Sequence, residues 1–302
     1  MSGLYHQGVE LKLLTVHAHP DDEASKGSAT IARYSAEGVR TVLVCCTGGE
    51  AGEVLNPNLD TPVVRQNLAQ LRLEELREST RILGFSRVYL LGYHDSGMPG
   101  TETNARPDNF ANAPFDEAVA KLVEIIRAEQ PQVVIGYAED REFYPHPDHI
   151  RVHEITVAAF DAASDPGRYP ECGAPWRPLK LYYTGFSPRR IKALDQAYKD
   201  RGEESPYVRW LANGFPQEWD KAFTTYVNIS DFIGKRSQAL LAHRTQIDPD
   251  GFWMRLPDDV VRQVFPYEEF ILARSLVETA IPEEDLFAGI RQQPDGSAAT
   301  RP

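Results

Sequence analysis

No run of about 20 apolar residues, the length a membrane-spanning helix needs, occurs in the 302-residue sequence. Basic charge is also scarce: 32 Lys and Arg stand against 44 Asp and Glu, a formal net of -12, and no basic cluster appears. A polyanion finds little to dock on, so neither a nucleic-acid partner nor a membrane partner is expected. Cysteine is limited to Cys45, Cys46 and Cys172. Adjacent cysteines rarely bridge each other, so these thiols read as reduced, with Cys45 and Cys46 as small buried hydrophobes at the end of an apolar run. The N-terminal MSGLYHQGVE lacks the basic and apolar regions of a secretory signal, and a cytoplasmic location is expected.

What is present is the composition of a globular chain, 42% hydrophobic and 25% charged, long enough to bury a large core without disulfides. Short β-rich runs at 11–17, 40–46, 87–91, 132–137 and 179–184 alternate with helical patterns, clearest at 62–83 and 115–129. Pro62 and Pro114 stand near the helix starts and Gly84 where a C-cap belongs. Alternation of this kind predicts an α/β fold: a Rossmann-like, mainly parallel sheet with helices on both faces. The first strand runs into HPDDEASKG and not into G-x-G-x-x-G, which argues against a nucleotide cofactor. After about residue 185 the pattern loosens, with helical stretches near 188–201 and 231–243, a strand at 224–229 and Trp210, Trp219 and Trp253. We expect a catalytic core over 1–185, a less regular C-terminal portion over 186–290 that packs on it and walls the pocket, and a mobile tail over 291–302.

Five of the eight histidines fall into two short segments, each joining a predicted strand to a predicted helix: His17 and His19 in HAHPDDE, and His146, His149 and His153 in YPHPDHIRVH. Taken alone, HPDDE also reads as an N-cap with acidic residues at a helix start, and HPDH as a polar turn before a helix. Together, at the carboxyl edge of one sheet, they point to a metal. Imidazole and carboxylate suit a borderline ion such as Zn²⁺, and two His with one Asp leave a coordination position open for water. The same donors accept Fe²⁺.

The pair AHPDDE and HPDH, with TGGE after the second strand and HRTQ at 243–246, resembles the PIG-L/LmbE family of metal-dependent de-N-acetylases over about residues 11–247. Within it, HAHPDDEASKG, LNPNLDTP, DSGMP, YPHPDHIRVHE, KLYYTGF, HRTQIDP and DLFAGI are similar to the branch that acts on mycothiol S-conjugates. The resemblance implies one metal ion per chain held by His19, Asp22 and His149, with Asp21 as general base. It implies that His146 stabilises the oxyanion or protonates the leaving amine, and that Tyr144 polarises the amide carbonyl. Glu50, Arg72 and Asp95 would contact sugar or inositol hydroxyls, and Lys26 the acyl side of a conjugate. His243 and Gln246 match a family motif near the pocket, while His17 and His153 are expected behind the ligands. The expected partner is a small-molecule thiol conjugate or an amino-sugar substrate. The implied reaction is hydrolysis of the conjugate's amide to a mercapturic acid and glucosaminyl-inositol; the competing reading is deacetylation of N-acetylglucosaminyl-inositol or another sugar.

Overall fold

A computed structural model describes residues 10–141, 144–215 and 218–291. In chain order the elements are β1 (Lys12–His17), α1 (Asp22–Ser25), α2 (Ser28–Ala36), β2 (Arg40–Thr47), α3 (Pro62–Gln66), α4 (Leu68–Leu83), β3 (Arg87–Tyr93), α5 (Phe115–Glu129), β4 (Val133–Tyr137), α6 (Pro147–Ala162), β5 (Lys180–Thr184), α7 (Pro188–Asp200), α8 (Val208–Asn213), α9 (Trp219–Ala222), β6 (Thr225–Asn228), α10 (Ile233–Ala242), α11 (Asp258–Val264) and β7 (Tyr267–Ser275). The sheet order is β3-β2-β1-β4-β5-β7-β6. Five strands run parallel, β7 pairs antiparallel with β5, and β6 pairs antiparallel with β7.

The central strands β1, β2 and β4 are apolar runs because both faces are covered, and successive side chains serve opposite layers, whereas the edge strand β3 leaves Val88 and Leu90 exposed. Leu14, Val16 and Val134 pack with Leu122 and Ile126 of α5 and Val152 and Ile155 of α6. Leu13, Val133 and Ile135 pack on the other face with Ile31 of α2 and Ile233 and Leu240 of α10. Strand order reverses between β1 and β4, which are neighbours but lead to opposite halves of the sheet. Such a switch point opens a crevice at the strands' carboxyl ends. The segment after β1 and the segment before α6 both enter it.

Two features differ from the sequence expectation. The helical pattern at 62–83 is two helices broken at Asn67, whose side-chain amide donates to Val63 O at 2.8 Å. This is the local competition with the helix ladder that asparagine side chains offer. The strand β7 had no counterpart in the sequence reading. At the C-terminus of α4, Gly84 takes φ 81° and its N–H donates to Thr80 O. A Cβ there would meet Ser35 Oγ at 2.4 Å, so glycine is required on both counts. The expected tail lies outside the described residues except for Arg291, which pairs with Glu37 at 2.7 Å. No described helix is long and apolar enough to cross a membrane.

The outer strands are fastened by one buried carboxylate. Glu283 pairs with Lys180 Nζ, both side chains being 0% exposed. It also accepts the hydroxyls of Tyr182 at 2.6 Å, Thr225 at 2.8 Å and Thr279 at 2.7 Å. Removing one partner of a buried pair strands the other charge, at about 3–5 kcal/mol. Lys180→Met is therefore expected to lower unfolding free energy by about 3 kcal/mol in a urea titration, and a loss below about 1 kcal/mol would refute this role.

Candidate metal centre and active-site cavity

The site begins with the turn after β1. Asp21, the N-cap of α1, sits at φ 107°, ψ -25°, a region that non-glycine residues rarely adopt and that stores about 1–3 kcal/mol of strain. Three consecutive acidic side chains then turn to three different cations. Asp21 Oδ2 accepts Arg72 Nη2 from α4 at 2.8 Å, and the same guanidinium donates to Pro20 O at 2.6 Å and to Gly49 O. Asp22 takes Lys26 Nζ, the His19 backbone N–H at 3.0 Å, and lies 3.4 Å from His149 Nε2. Glu23 pairs with His243 Nε2 at 2.6 Å and accepts Ser79 Oγ and the Asp21 N–H at 2.9 Å.

These environments separate the three carboxyl groups. Burial pushes each upward. For Asp22, Lys26 and His149 outweigh burial and hold it well below the usual carboxylate range. For Glu23, His243 outweighs burial and the net shift is downward. For Asp21, burial prevails over Arg72, and its affinity for a proton is raised. Of three neighbouring acids, Asp21 is the one tuned toward accepting a proton.

The second segment opens α6. His146 is its N-cap, with Nδ1 accepting the Asp148 N–H at 3.2 Å, and Pro147 occupies the first turn. Asp148 Oδ2 lies 3.1 Å from His19 Nε2 and accepts the Ser96 N–H at 2.9 Å, while the Ser96 hydroxyl donates to its other oxygen. Asp95 Oδ1 stands 3.5 Å from His19 Nε2 and accepts the Gly97 N–H at 2.8 Å.

Among the described residues two overlapping groups have ligand atoms within 4.8 Å of one another: His19, Asp22 and His149; and His19, Asp95, His146 and Asp148. Both Asp148 oxygens, one Asp95 oxygen and His146 Nδ1 in the second group already accept hydrogen bonds, and so do both Asp22 oxygens in the first, so what separates the two is the face that His19 offers. A proton on His19 Nε2 donated to Asp148 leaves the Nδ1 lone pair on the side of Asp22, 3.5 Å away. That is how a carboxylate behind a ligating histidine fixes its tautomer. Burial disfavours charge on His19, yet Asp148, Asp22 and Asp95 raise its pKa well above the ordinary value. Positive charge is called for at this point, and a cation would supply it. Burial lowers His149 to about 4 despite Asp22, so its ring is neutral and able to ligate.

The other expected residues divide between two sides. Tyr144 is 50% exposed, its ring 5.9 Å from that of His146 and 5.0 Å from that of His149. Glu50 accepts the Asp95 N–H at 3.1 Å and meets His94 Nδ1 at 2.7 Å, which makes a polar rim beyond β3. Lys26 lies on the opposite side, against Asp22 and 5.7 Å above the Tyr137 ring. Arg72 is buried, and it donates hydrogen bonds to the Asp21 turn and to Gly49 O. His17 meets the Tyr137 hydroxyl at 2.9 Å and Thr15 at 2.8 Å, and His153 meets Tyr137 O at 2.8 Å, both behind the ligand cluster. Gln246 donates to Glu53 O at 3.0 Å. Sequence reasoning gave no part to Glu23, Asp148 or Tyr137; the first two stand inside the motifs themselves, where an acid flanking a ligand was the available signal.

A cavity of about 520 Å³ runs from Asp21, Asp22, Lys26, Tyr144 and His149 to a wall containing Phe186, Tyr207, Trp210, Trp219 and Trp253. One end is charged and the other aromatic.

Residues 14–160 match the family model described as PIG-L: GlcNAc-PI de-N-acetylase. The chain is 47% identical over 289 residues to the mycothiol S-conjugate amidase of Streptomyces coelicolor, covering 93% of this chain and 98% of that protein. It is 39% identical over 291 residues to the 1D-myo-inositol 2-acetamido-2-deoxy-alpha-D-glucopyranoside deacetylase of Geodermatophilus obscurus, covering 92% and 98%. Among solved structures, the N,N'-diacetylchitobiose deacetylase from Pyrococcus horikoshii shares the fold, with a TM-score of 0.58 at 21% identity over 86% of this chain and 82% of that one.

With a metal held by His19, Asp22 and His149, Asp148 would orient His19 without ligating, so Asp148→Asn is expected to weaken binding of Zn²⁺, used as the probe ion, by about 10–100-fold, and His149→Ala by more. Competition with a chromophoric chelator measures both. Equal affinities for wild type and Asp148→Asn would show that the His19–Asp148 contact has no bearing on the metal.

Proposed function

The chain belongs to the PIG-L family of de-N-acetylases, hydrolases that act on amides, and on that premise we propose that it cleaves the amide of mycothiol S-conjugates, releasing a mercapturic acid and glucosaminyl-inositol. The observation that carries this reading is the cavity. An acetyl group is two carbons, whereas the space continuous with Asp21, Asp22 and His149 is about 520 Å³ and ends among aromatic rings. A bulky acyl group with an apolar S-linked substituent suits it. The polar rim of Glu50, His94 and Asp95 lies on the other side of His19, where directional acceptors suit the hydroxyls of the leaving amino sugar. In this reading residues 1–185 carry the chemistry and residues 186–290 complete the pocket.

The donor set favours Zn²⁺, with Fe²⁺ the other ion it takes, and such an ion when bound polarises the amide carbonyl and brings the attacking water within reach of deprotonation near neutral pH. The protein groups supply the rest. Asp21, its proton affinity raised by burial and its position fixed by Arg72, takes the proton of the attacking water and passes it to the departing nitrogen, which leaves poorly as an anion. Arg72 thus acts on the base, and the sugar contact expected of it passes to Glu50 and Asp95. With Nδ1 engaged as an acceptor and its pKa lowered by burial, His146 is a neutral imidazole whose Nε2–H donates to the developing oxyanion. Tyr144, exposed at the rim beside His146, adds a second donor to the carbonyl oxygen. Lys26 faces the acyl side.

The runner-up, deacetylation of N-acetylglucosaminyl-inositol, uses the same base and metal. The ratio of kcat/KM for a bimane S-conjugate of mycothiol to that for the N-acetylated precursor separates them. We expect the conjugate to be preferred by at least about tenfold, and preference for the precursor would replace the amidase reading with the deacetylase one. Asp21→Ala should reduce kcat by about 10³-fold, within the range of general-base contributions, while retaining bound metal. Unchanged turnover would remove Asp21 as the base.

A further inference from the structure

The aromatic end of the cavity holds four charged side chains, Arg190, Arg236, Glu268 and Glu269. Three are spoken for within the fold. Glu268 accepts the N–H groups of Ala29 at 3.2 Å and Thr30 at 2.7 Å, at the start of α2. Glu269 accepts the Ser187 N–H at 3.0 Å and Arg190 Nη1 at 3.3 Å, and Arg190 also lies 4.9 Å above the Phe186 ring. Arg236, from α10, is 7% exposed, and its Nε has no hydrogen-bond partner. Among the described residues its guanidinium makes no hydrogen bond or ion pair; it lies 5.7 Å above the ring of Trp253. Burial and the nearby Arg190 lower its pKa to about 10, against the pull of Glu268, so it is still a cation at neutral pH.

A buried guanidinium has five N–H donors and is expensive to leave unmatched. Its surroundings are flat: Phe252 and Trp253 have ring centroids 4.9 Å apart, and Tyr207 and Phe252 5.4 Å apart, both edge to face. Such walls accept a planar group, and a fork of N–H donors at their end matches a planar oxyanion. We infer that the aromatic end of the cavity is a subsite for a planar apolar group bearing a carboxylate, and that Arg236 is the residue that receives the carboxylate. The inference deepens the proposed function, since the S-linked substituent is the part of the substrate that would reach this end. Its binding test does not depend on turnover.

The probes are two mercapturic acids, S-benzyl-N-acetylcysteine and S-(4-carboxybenzyl)-N-acetylcysteine, which share the cysteinyl carboxylate and differ in the second one. Binding to the metal-loaded full chain is read by quenching of tryptophan fluorescence and by calorimetry. The carboxylated probe is expected to bind wild type about tenfold or more tightly than the benzyl probe, as a charge-assisted pair warrants. Arg236→Met should abolish that preference, and Arg236→Lys, which keeps the charge but loses the fork, should retain part of it. Equal binding of the two probes to wild type, binding of neither, or a preference that survives in a folded Arg236→Met protein would each overturn the inference. The wild-type comparison decides the matter even where a variant fails to fold. A protein that shows the Arg236-dependent preference yet prefers the N-acetylated precursor in turnover would keep this subsite and lose the amidase reading.

Discussion

Three successive carboxylates packed into one turn, Asp22 and Glu23 buried and Asp21 partly so, are the arrangement on which the rest of this site depends. Asp21, Asp22 and Glu23 follow β1 directly, and two unit charges a few ångströms apart repel by several kcal/mol at the effective dielectric near a protein surface. Each is paired with a basic side chain from a different part of the chain: Arg72 on α4, Lys26 just after α1, and His243 at the end of α10. The backbone at Asp21 is left-handed, and its carboxylate pairs with Arg72 while that of Asp22 pairs with Lys26. The ion pairs of this turn also tie α4 and the end of α10 to it. Site and scaffold are held by the same contacts.

The central parallel strands were legible because burial on both faces leaves them as apolar runs, and the long amphipathic helix over 115–129 because its apolar spacing is uninterrupted. Strand β7 was not legible for the opposite reason. Its sequence, YEEFILARS, has two adjacent glutamates at its second and third positions, charged residues that read as solvent-facing, whereas both are buried and bonded to the backbone of other elements. Asn67 hid the break between α3 and α4, since asparagine is tolerated in a helix until its amide finds a nearby carbonyl. The candidate ligands stood out as residue types in short motifs. What Arg72 does was hidden, because a cation on a helical face reads the same whether it meets solvent, a ligand or a neighbouring turn. Arg236 was equally opaque: nothing local in IGKRSQ signals that its arginine faces into a cavity.

The two histidine motifs come together across neighbouring strands, through His19 with Asp148 and Asp22 with His149. His19, after β1, is shared by both candidate ligand groups, and Asp148, after β4, touches its Nε2 while Ser96, beyond β3, holds Asp148 from the other side. Three loops from the carboxyl edge therefore set the orientation of one imidazole. A displacement of any one would rotate the ring and with it the face offered to a metal, so the motifs have chemical meaning as a pair more than singly.

Placement at the switch point also explains why the site has two unlike sides. The loops after β2 and β3 bring Glu50 and Asp95, and the chain after β5 brings Phe186, Arg190 and the aromatic wall. A bond cleaved between these sides has a polar leaving half and an apolar retained half. An amide joining a polyol amine to a thioether-bearing acyl group has that asymmetry, whereas an acetamide presents almost nothing to the aromatic side. In the proposed reaction the shape of the crevice would select for what lies beyond the carbonyl, while Asp21, His146 and the ligand set would serve either bond.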